Sequence, residues 1–424
     1  MSSLPSSFPA NIPILLDGRP VEKITAFLFD KGGNDDPKPL LANAGKSFIG
    51  SYVLGMGFTF DDSNPDATPI AEMYRLIDKN PKNAEVIFPY IGGEEVNSSP
   101  SHKHHRYVIN FGERSEDEVR DNYPDLMGIV EKKVKPARLA QNREIRARYW
   151  WRFGETTPAL FKAIANCDQV LVIGCTATKY LGFIFLDSQR VFSHKLAVFA
   201  LSKFSNFAVL KSRIHEVWAI FFGSTLAETL TYNPSDVFET FPFPKNWETD
   251  PTLEEIGKTY YEYRAALMVK NNQGLTDTYN RFHDPNETDP EILELRELHH
   301  QMDQAVLNAY GWTDLELTCG FALDYLDTEE DNLPPDAQER IQSGDLFFST
   351  ADEAINFDNL LRTGKRKLPW RYKWPETIHD GILARLLDLN QQRYDEEILR
   401  GKHAEKKTKG KTRKKSQPNT LPGI

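Results

Sequence analysis

The chain has 424 residues, 40% hydrophobic and 12% aromatic, with a formal net charge of -10. That is enough chain for two or three domains with real cores. Low mean hydropathy with no long apolar run excludes a membrane span. The charge argues against indiscriminate nucleic-acid binding, but it is unevenly spread.

The first nine residues lack the basic start and apolar core of a secretion signal. Cys167, Cys175 and Cys319 form no Cys-x-x-Cys pair, which fits a reducing cytoplasm better than a disulfide framework or zinc ribbon. Residues 1–40 read as a leading segment, with a strand over 24–29 and a loop from Lys31. Gly45-Lys46-Ser47 invites a phosphate-loop reading, but Leu40 stands where that motif needs a glycine. Residues 48–58 mix β-formers with Gly50, Gly55 and Gly57 and read as a glycine-bent β segment rather than a cofactor turn.

A short helix is expected over 68–78 and strands over 85–91 and 107–112. The loop between those strands carries His102, His104, His105 and Arg106. No carboxylate or cysteine stands at a spacing that would complete a metal site there, so a loop near phosphates is the better reading. Helices are expected over 116–123 and 124–135.

They lead into the most unusual stretch, 132–152. It holds Lys132, Lys133, Lys135, Arg138, Arg143, Arg146, Arg148 and Arg152, with Glu144 its only acid, and ends in Tyr149, Trp150 and Trp151. Spacing of three and four gathers Arg143, Arg146 and, less well, Arg138 and Arg148 on one side of a helix. Such a row can grip phosphates or read guanine edges; a solvated basic helix with core aromatics is the alternative.

Residues 156–245 read as α/β. A helix over 158–165 is followed by strands over 169–174, 182–186 and 191–201. Phe207, Leu210, Ile214, Val217 and Phe221 form one apolar helix face, with Lys211, Ser212 and His215 opposite. Lys211 and Arg213 are further candidates for phosphate contact, while His215 reads as structural. The segment closes over 232–244, where alternating Phe and Pro force an extended strap pinned by its rings.

From Asp250 the pattern turns helical. Thr252-Leu-Glu-Glu255 reads as a capping box before a stripe of Leu253, Ile256, Tyr260, Tyr263 and Leu267. Asp289-Pro290 opens a second helix that Gly311 ends, with His299 in its core stripe. An acidic turn over 327–331, a second basic-aromatic patch over 364–374 and a last helix over 378–399 follow. Residues 401–424 read as a disordered basic tail.

The order of motifs resembles a known family. Phe48-Ile-Gly-Ser51, Phe88-Pro-Tyr-Ile-Gly-Gly93, Lys133-Val-Lys-Pro-Ala-Arg138, Tyr149-Trp-Trp-Arg152, Ser212-Arg-Ile-His215, Tyr232-Asn-Pro-Ser-Asp236 and Phe241-Pro-Phe-Pro244 follow one another. Leu295-Arg-Glu-Leu-His299, Tyr310-Gly-Trp312 and Leu387-Asp-Leu-Asn390 continue the series. This resembles the target-recognition and helical half of type IIG/IIL restriction–modification enzymes and related phage-defence adenine methyltransferases.

The resemblance implies an α/β (α+β) target-recognition domain over 41–245, then an all-α helical domain over 246–400 with an irregular insert near 326–375. Double-stranded DNA is the implied ligand. The family's Asn/Asp-Pro-Pro-aromatic motif has no counterpart: Asn332-Leu-Pro-Pro-Asp336 has the wrong spacing and no aromatic. Methyl transfer is therefore expected from a catalytic subunit or N-terminal half outside this chain. S-adenosylmethionine would belong to that holoenzyme, with no cofactor or metal in this chain. Two alternatives are a scaffold subunit that docks a methyltransferase without touching DNA, and an autonomous enzyme with degenerate motifs.

Overall fold

The computed structural model describes residues 14–16, 19–27, 34–176, 179–226, 229–324, 335–342, 346–361 and 368–401. The expected acidic turn, nearly all of the basic tail and parts of the leading strand, the first loop and the second basic patch lie outside these residues. Within the leading segment, strands form at Ile14–Leu16 and Arg19–Val21, and residues 23–27 are not a strand.

Two four-stranded sheets carry the N-terminal half. In the first, the order is Ser47–Ile49, Leu196–Phe199, Gln169–Gly174, Ile184–Asp187, all antiparallel. Val170 to Gly174 are all buried, which is why that strand reads as a continuous apolar run instead of alternating. In the second, the order is Thr59–Phe60, Arg106–Ile109, Ile87–Ile91, Val191–Phe192, and only the last pair is parallel. Helices Ile70–Lys79, Glu116–Asn122 and Pro124–Lys133 close a core over it that includes Trp150, Trp151 and Phe153.

The strand expected over 191–201 is two strands in different sheets. Val191 packs in the second sheet's core and Phe192 in the first's. The chain turns through Ser193, His194 and Lys195, then resumes at Leu196 in the first sheet. Non-local bonds hold this crossover: Ser193 N donates to Ile91 O at 2.9 Å and His194 N to Ser51 O at 2.9 Å. Gly50 lets the two backbones touch, because a Cβ there would lie 2.2 Å from Ser193 O.

The apolar helix expected over 207–221 is broken at Ser212 into Phe204–Lys211 and Arg213–Phe222. Ser212 Oγ accepts from His215 N at 3.4 Å, and Arg213 N donates to Asp303 Oδ1 at 2.8 Å. The break thus aims a helix N-terminus, with its exposed N–H groups, at a fully buried carboxylate.

One core runs from the first sheet through these helices into Pro251–Asn271, Leu275–Phe282, Pro290–Tyr310 and Glu376–Leu399, so packing continues across residue 245. Asp250, not Thr252, caps the first of these, accepting from Thr252 N and Leu253 N. Asp289 caps Pro290–Tyr310, and Gly311 ends it at φ 77°. The strap is pinned by rings: Phe243 stacks on Trp247 at 4.0 Å and Phe241 on His215 at 4.7 Å. A short helix, Pro234–Val237, interrupts its approach. The insert forms a three-stranded antiparallel sheet with Gly320–Leu323 at its centre and a small core of its own. No helix among the described residues is long and apolar enough to cross a membrane.

Candidate nucleic-acid interface

The basic run is not one helix. It covers the end of Pro124–Lys133, the short helix Lys135–Leu139, a turn, and Glu144–Arg148. Its cations therefore form no single row, and most are engaged. Lys133 Nζ donates to Ala67 O at 2.8 Å and Asp66 O at 3.1 Å. Lys135 pairs with Glu131 at 2.7 Å and lies 4.6 Å from the Trp150 ring. Arg148 pairs with Glu144 at 3.1 Å. Arg152 donates to the carbonyls of Glu113 and Arg114 and lies over Tyr149.

Arg138 is a plain correction to the phosphate-contact expectation. It is 1% exposed and donates from Nη2 to Leu54 O at 2.8 Å, Val53 O at 3.1 Å and Arg152 O at 3.3 Å. Burial, and then the Arg146 charge, pull its guanidinium down to about 10. It fixes the 53–54 loop and reaches no open surface.

Lys211 and Arg213 are corrected in the same way. Both are 3% exposed. Arg213 Nη1 donates to Asp303 Oδ2 at 2.7 Å, and Lys211 lies 4.3 Å from the Tyr279 ring centre. A charge sealed among aromatic rings cannot release a counterion to DNA. His215 is structural, bonded to Tyr232 Oη at 3.0 Å and pushed down to about 3 by burial and Lys211.

The three histidines of the 102–105 loop do not converge on one point. His102 bonds Glu95 O at 3.3 Å, and burial pushes it down to about 4. His104 meets the Tyr107 ring edge-on, and His105 lies 3.3 Å from the Glu95 carboxylate. Arg106 grips that same buried carboxylate with two bonds, at 2.9 and 3.1 Å, so its task is to anchor the loop. Lys46 pairs with Glu248 at 2.6 Å and cradles no phosphate. Glu376, His379 and Asp380 are the one metal-sized cluster among the described residues, and Lys373 already occupies Glu376 at 2.7 Å.

What remains open gathers beside the crossover. Lys132 and Arg143 are exposed with no hydrogen-bond or ion-pair partner among the described residues. Arg143 caps the helix holding Arg146, whose guanidinium lies 5.3 Å from the Tyr52 ring and only loosely, at 3.9 Å, from Glu155. The other neighbour of Tyr52 is His194, 4.4 Å away edge-on, and Lys195 beside it is exposed and unpaired among the described residues. Ser193 is buried and packs toward Gly92 and the Arg106–Glu95 anchor, with Lys103 and His105 exposed on the loop beyond. Leu139 and Ile145, 58% and 65% exposed, project from the short helices flanking Arg143.

Tyr52, His194, Lys195 and Lys103 were not sequence candidates. No local pattern marks the first two, because the Ser51–Ser193 bridge brings them together across the chain. A lone lysine carries no signal of its own.

The geometry is that of a mixed α/β unit with exposed cations beside a crossover between two sheets. Residues 67–245 match the family described as MmeI, target recognition domain. Among solved structures the chain is similar to the type IIL restriction-modification enzyme MmeI in complex with DNA, at 19% identity and a TM-score of 0.48, covering 80% of this chain and 39% of that one. No curated protein matches the chain in sequence.

Proposed function

We propose that the chain is the DNA sequence-reading portion of a larger restriction–modification enzyme, and that duplex DNA sits on the surface around Arg143, Arg146, Tyr52, His194 and Lys195. The family match over 67–245 carries this reading. The exposed cations beside the sheet crossover support placing the contact there. Phosphate contacts from Arg143, Lys195 and Lys132 set register, and the exposed Lys103 and His105 and the tip bearing Ile145 offer side chains to base edges or grooves.

Methyl transfer to adenine from S-adenosylmethionine is the reaction we assign to the holoenzyme. The chemistry would reside in a catalytic core supplied by a longer chain or a partner. The recognition portion contributes by fixing which base that core meets.

The test is a fluorescence-anisotropy titration of randomised duplexes at low salt, with the chain alone and with a co-expressed methyltransferase core. Binding that Arg143→Glu and Lys195→Glu weaken on every duplex supports the proposal. Unchanged complex affinity with both reversed favours a scaffold subunit that docks the catalytic partner without touching DNA. No binding to any duplex in either form overturns the reading.

A further inference from the structure

The loop over 98–105, between helix Gly93–Asn97 and strand Arg106–Ile109, is held more firmly than a connection needs. Glu95, 2% exposed, anchors its stem. That carboxylate accepts from Arg106 Nε at 2.9 Å, from Arg106 Nη2 at 3.1 Å and from Gly92 N at 2.9 Å, with His105 Nδ1 3.3 Å away. A Cβ at residue 92 would lie 2.9 Å from Arg106 Nη2, so glycine leaves room for the grip. Taking a carboxylate out of water is costly unless it is fully bonded. Here it is buried at the foot of an exposed loop.

The loop is also fixed from within. His102 has φ 53°, a left-handed backbone uncommon outside glycine. Such a conformation persists where the surroundings impose it, and it clusters at functional sites. His102 Nδ1 donates to Glu95 O at 3.3 Å. Burial, and then the Arg264 charge, lower its ring to about 4, so at neutral pH it is uncharged. His104 meets the Tyr107 ring edge-on at 5.1 Å. From the helical half, Gly274 at the cap of helix Leu275–Phe282 abuts the loop's first residue: a Cβ there would lie 2.5 Å from Ser98 O.

Burial alternates toward the end of the loop. His102, His104 and Arg106 are partly buried and engaged, while Lys103 and His105 are exposed. An alternation that runs into a strand puts Lys103 and His105 on one side. Lys103 has no hydrogen-bond or ion-pair partner among the described residues. Its ammonium only donates, so among major-groove edges it suits the paired acceptors of guanine, O6 and N7. The stem adjoins the sheet crossover. Ser193 N donates to Ile91 O at 2.9 Å, and a Cβ at residue 92 would lie 3.8 Å from Ser193 Cβ, one residue before His194 and Lys195.

Resting on the DNA-reading assignment above, we propose that this loop sets base preference: Lys103 reads a guanine edge, and Glu95 and His102 are positioning residues that hold it there without touching DNA. The cations Arg143 and Lys195 supply affinity, and the fixed loop supplies discrimination. A lysine on a loose loop meets phosphate as readily as a base, so reading an edge requires the pose to be held.

The test selects preferred sites from a pool of randomised duplexes, using the chain with a co-expressed methyltransferase core, and then titrates the selected duplex and an unrelated one. Lys103→Ala loses at least tenfold of preference at one position, and that position is a guanine. His102→Gly, which keeps the backbone but removes the ring, blurs the same position, as does Glu95→Gln. Affinity for the unrelated duplex and its salt dependence stay within twofold of wild type in His102→Gly, which a general loss of folding would not allow. His102→Asn, which tolerates the left-handed backbone and still carries a donor, keeps more of the preference than His102→Gly. If Glu95→Gln fails to fold, His102→Gly decides. Arg143→Glu and Lys195→Glu weaken both duplexes alike and leave the preference in place. A chain that binds no duplex overturns this inference together with the DNA-reading assignment. The inference alone is overturned if Lys103→Ala weakens every duplex equally, if the affected position is not a guanine, or if His102→Gly leaves the preference intact.

Discussion

Replacing Arg138 with methionine separates a guanidinium that builds the fold from one free to hold a phosphate. Its Nη2 bridges Leu54 O at 2.8 Å, Val53 O at 3.1 Å and Arg152 O at 3.3 Å, tying a loop, a helix and the residue after the tryptophan pair. Hydrogen bonds from a charged donor contribute about 1.5–3 kcal/mol each. Methionine fills much of the volume and relieves the cost of burying a charge that meets no carboxylate, which offsets part of the loss. The net expectation is a destabilisation of about 2–4 kcal/mol, a large share of a domain's stability. The assay is urea unfolding followed by tryptophan fluorescence, with Arg143→Ala in parallel. Arg143 is exposed and unpaired among the described residues, so its removal changes stability by less than about 0.5 kcal/mol. Arg138→Met with wild-type stability but a shallower salt dependence of DNA binding would refute the reasoning, because Arg138 would then be touching phosphate.

Trp151 is buried and its Nε1 donates to Arg114 O at 3.1 Å, so Trp151→Ala destabilises by about 3–5 kcal/mol in urea unfolding; normal stability with weakened DNA binding would instead make it a base-stacking residue. Gly50→Ala drives a Cβ to 2.2 Å from Ser193 O, forcing the sheets apart at the crossover. It lowers the melting temperature and the DNA affinity together, and an unchanged melting temperature contradicts the close approach. Three buried histidines set a pH dependence. Burial is the first cause in each: it lowers His215 to about 3 and holds His283 and His299 well below the ordinary value. Below about pH 6.5 the unfolded chain binds protons that the folded chain refuses, so stability falls with pH, by up to about 1.4 kcal/mol per unit for each histidine. Equal urea midpoints at pH 5 and pH 7 would contradict this.

Elements whose pattern is local were legible in the chain. The strand Gln169–Gly174 shows itself as an unbroken apolar run, and Pro290–Tyr310 by its aspartate, proline and glycine ends. The basic run was legible as unusual but not as to use. Charge alone cannot say whether a cationic side chain meets a carbonyl, a carboxylate or solvent, and Arg138, Lys135 and Arg143 do one each. The crossover was invisible, because no glycine or proline breaks residues 191–199 and only contacts with Ser51 and Ile91 divide them between sheets. Tyr52 and His194 became a site through that division. Ser212 hid opposite an apolar stripe whose phase survives the break, and Asp303, far along the chain, is what the new helix end meets.

The salt dependence of duplex affinity tests the central claim most directly. The slope of log affinity against log salt should become shallower by about 0.9 for each phosphate contact removed. Comparing the wild-type chain with the double variant Arg143→Ala, Lys195→Ala, in the same complex and on the same duplex, the account predicts a marked flattening with folding intact. An identical slope in the two proteins would contradict it and send the duplex to another face.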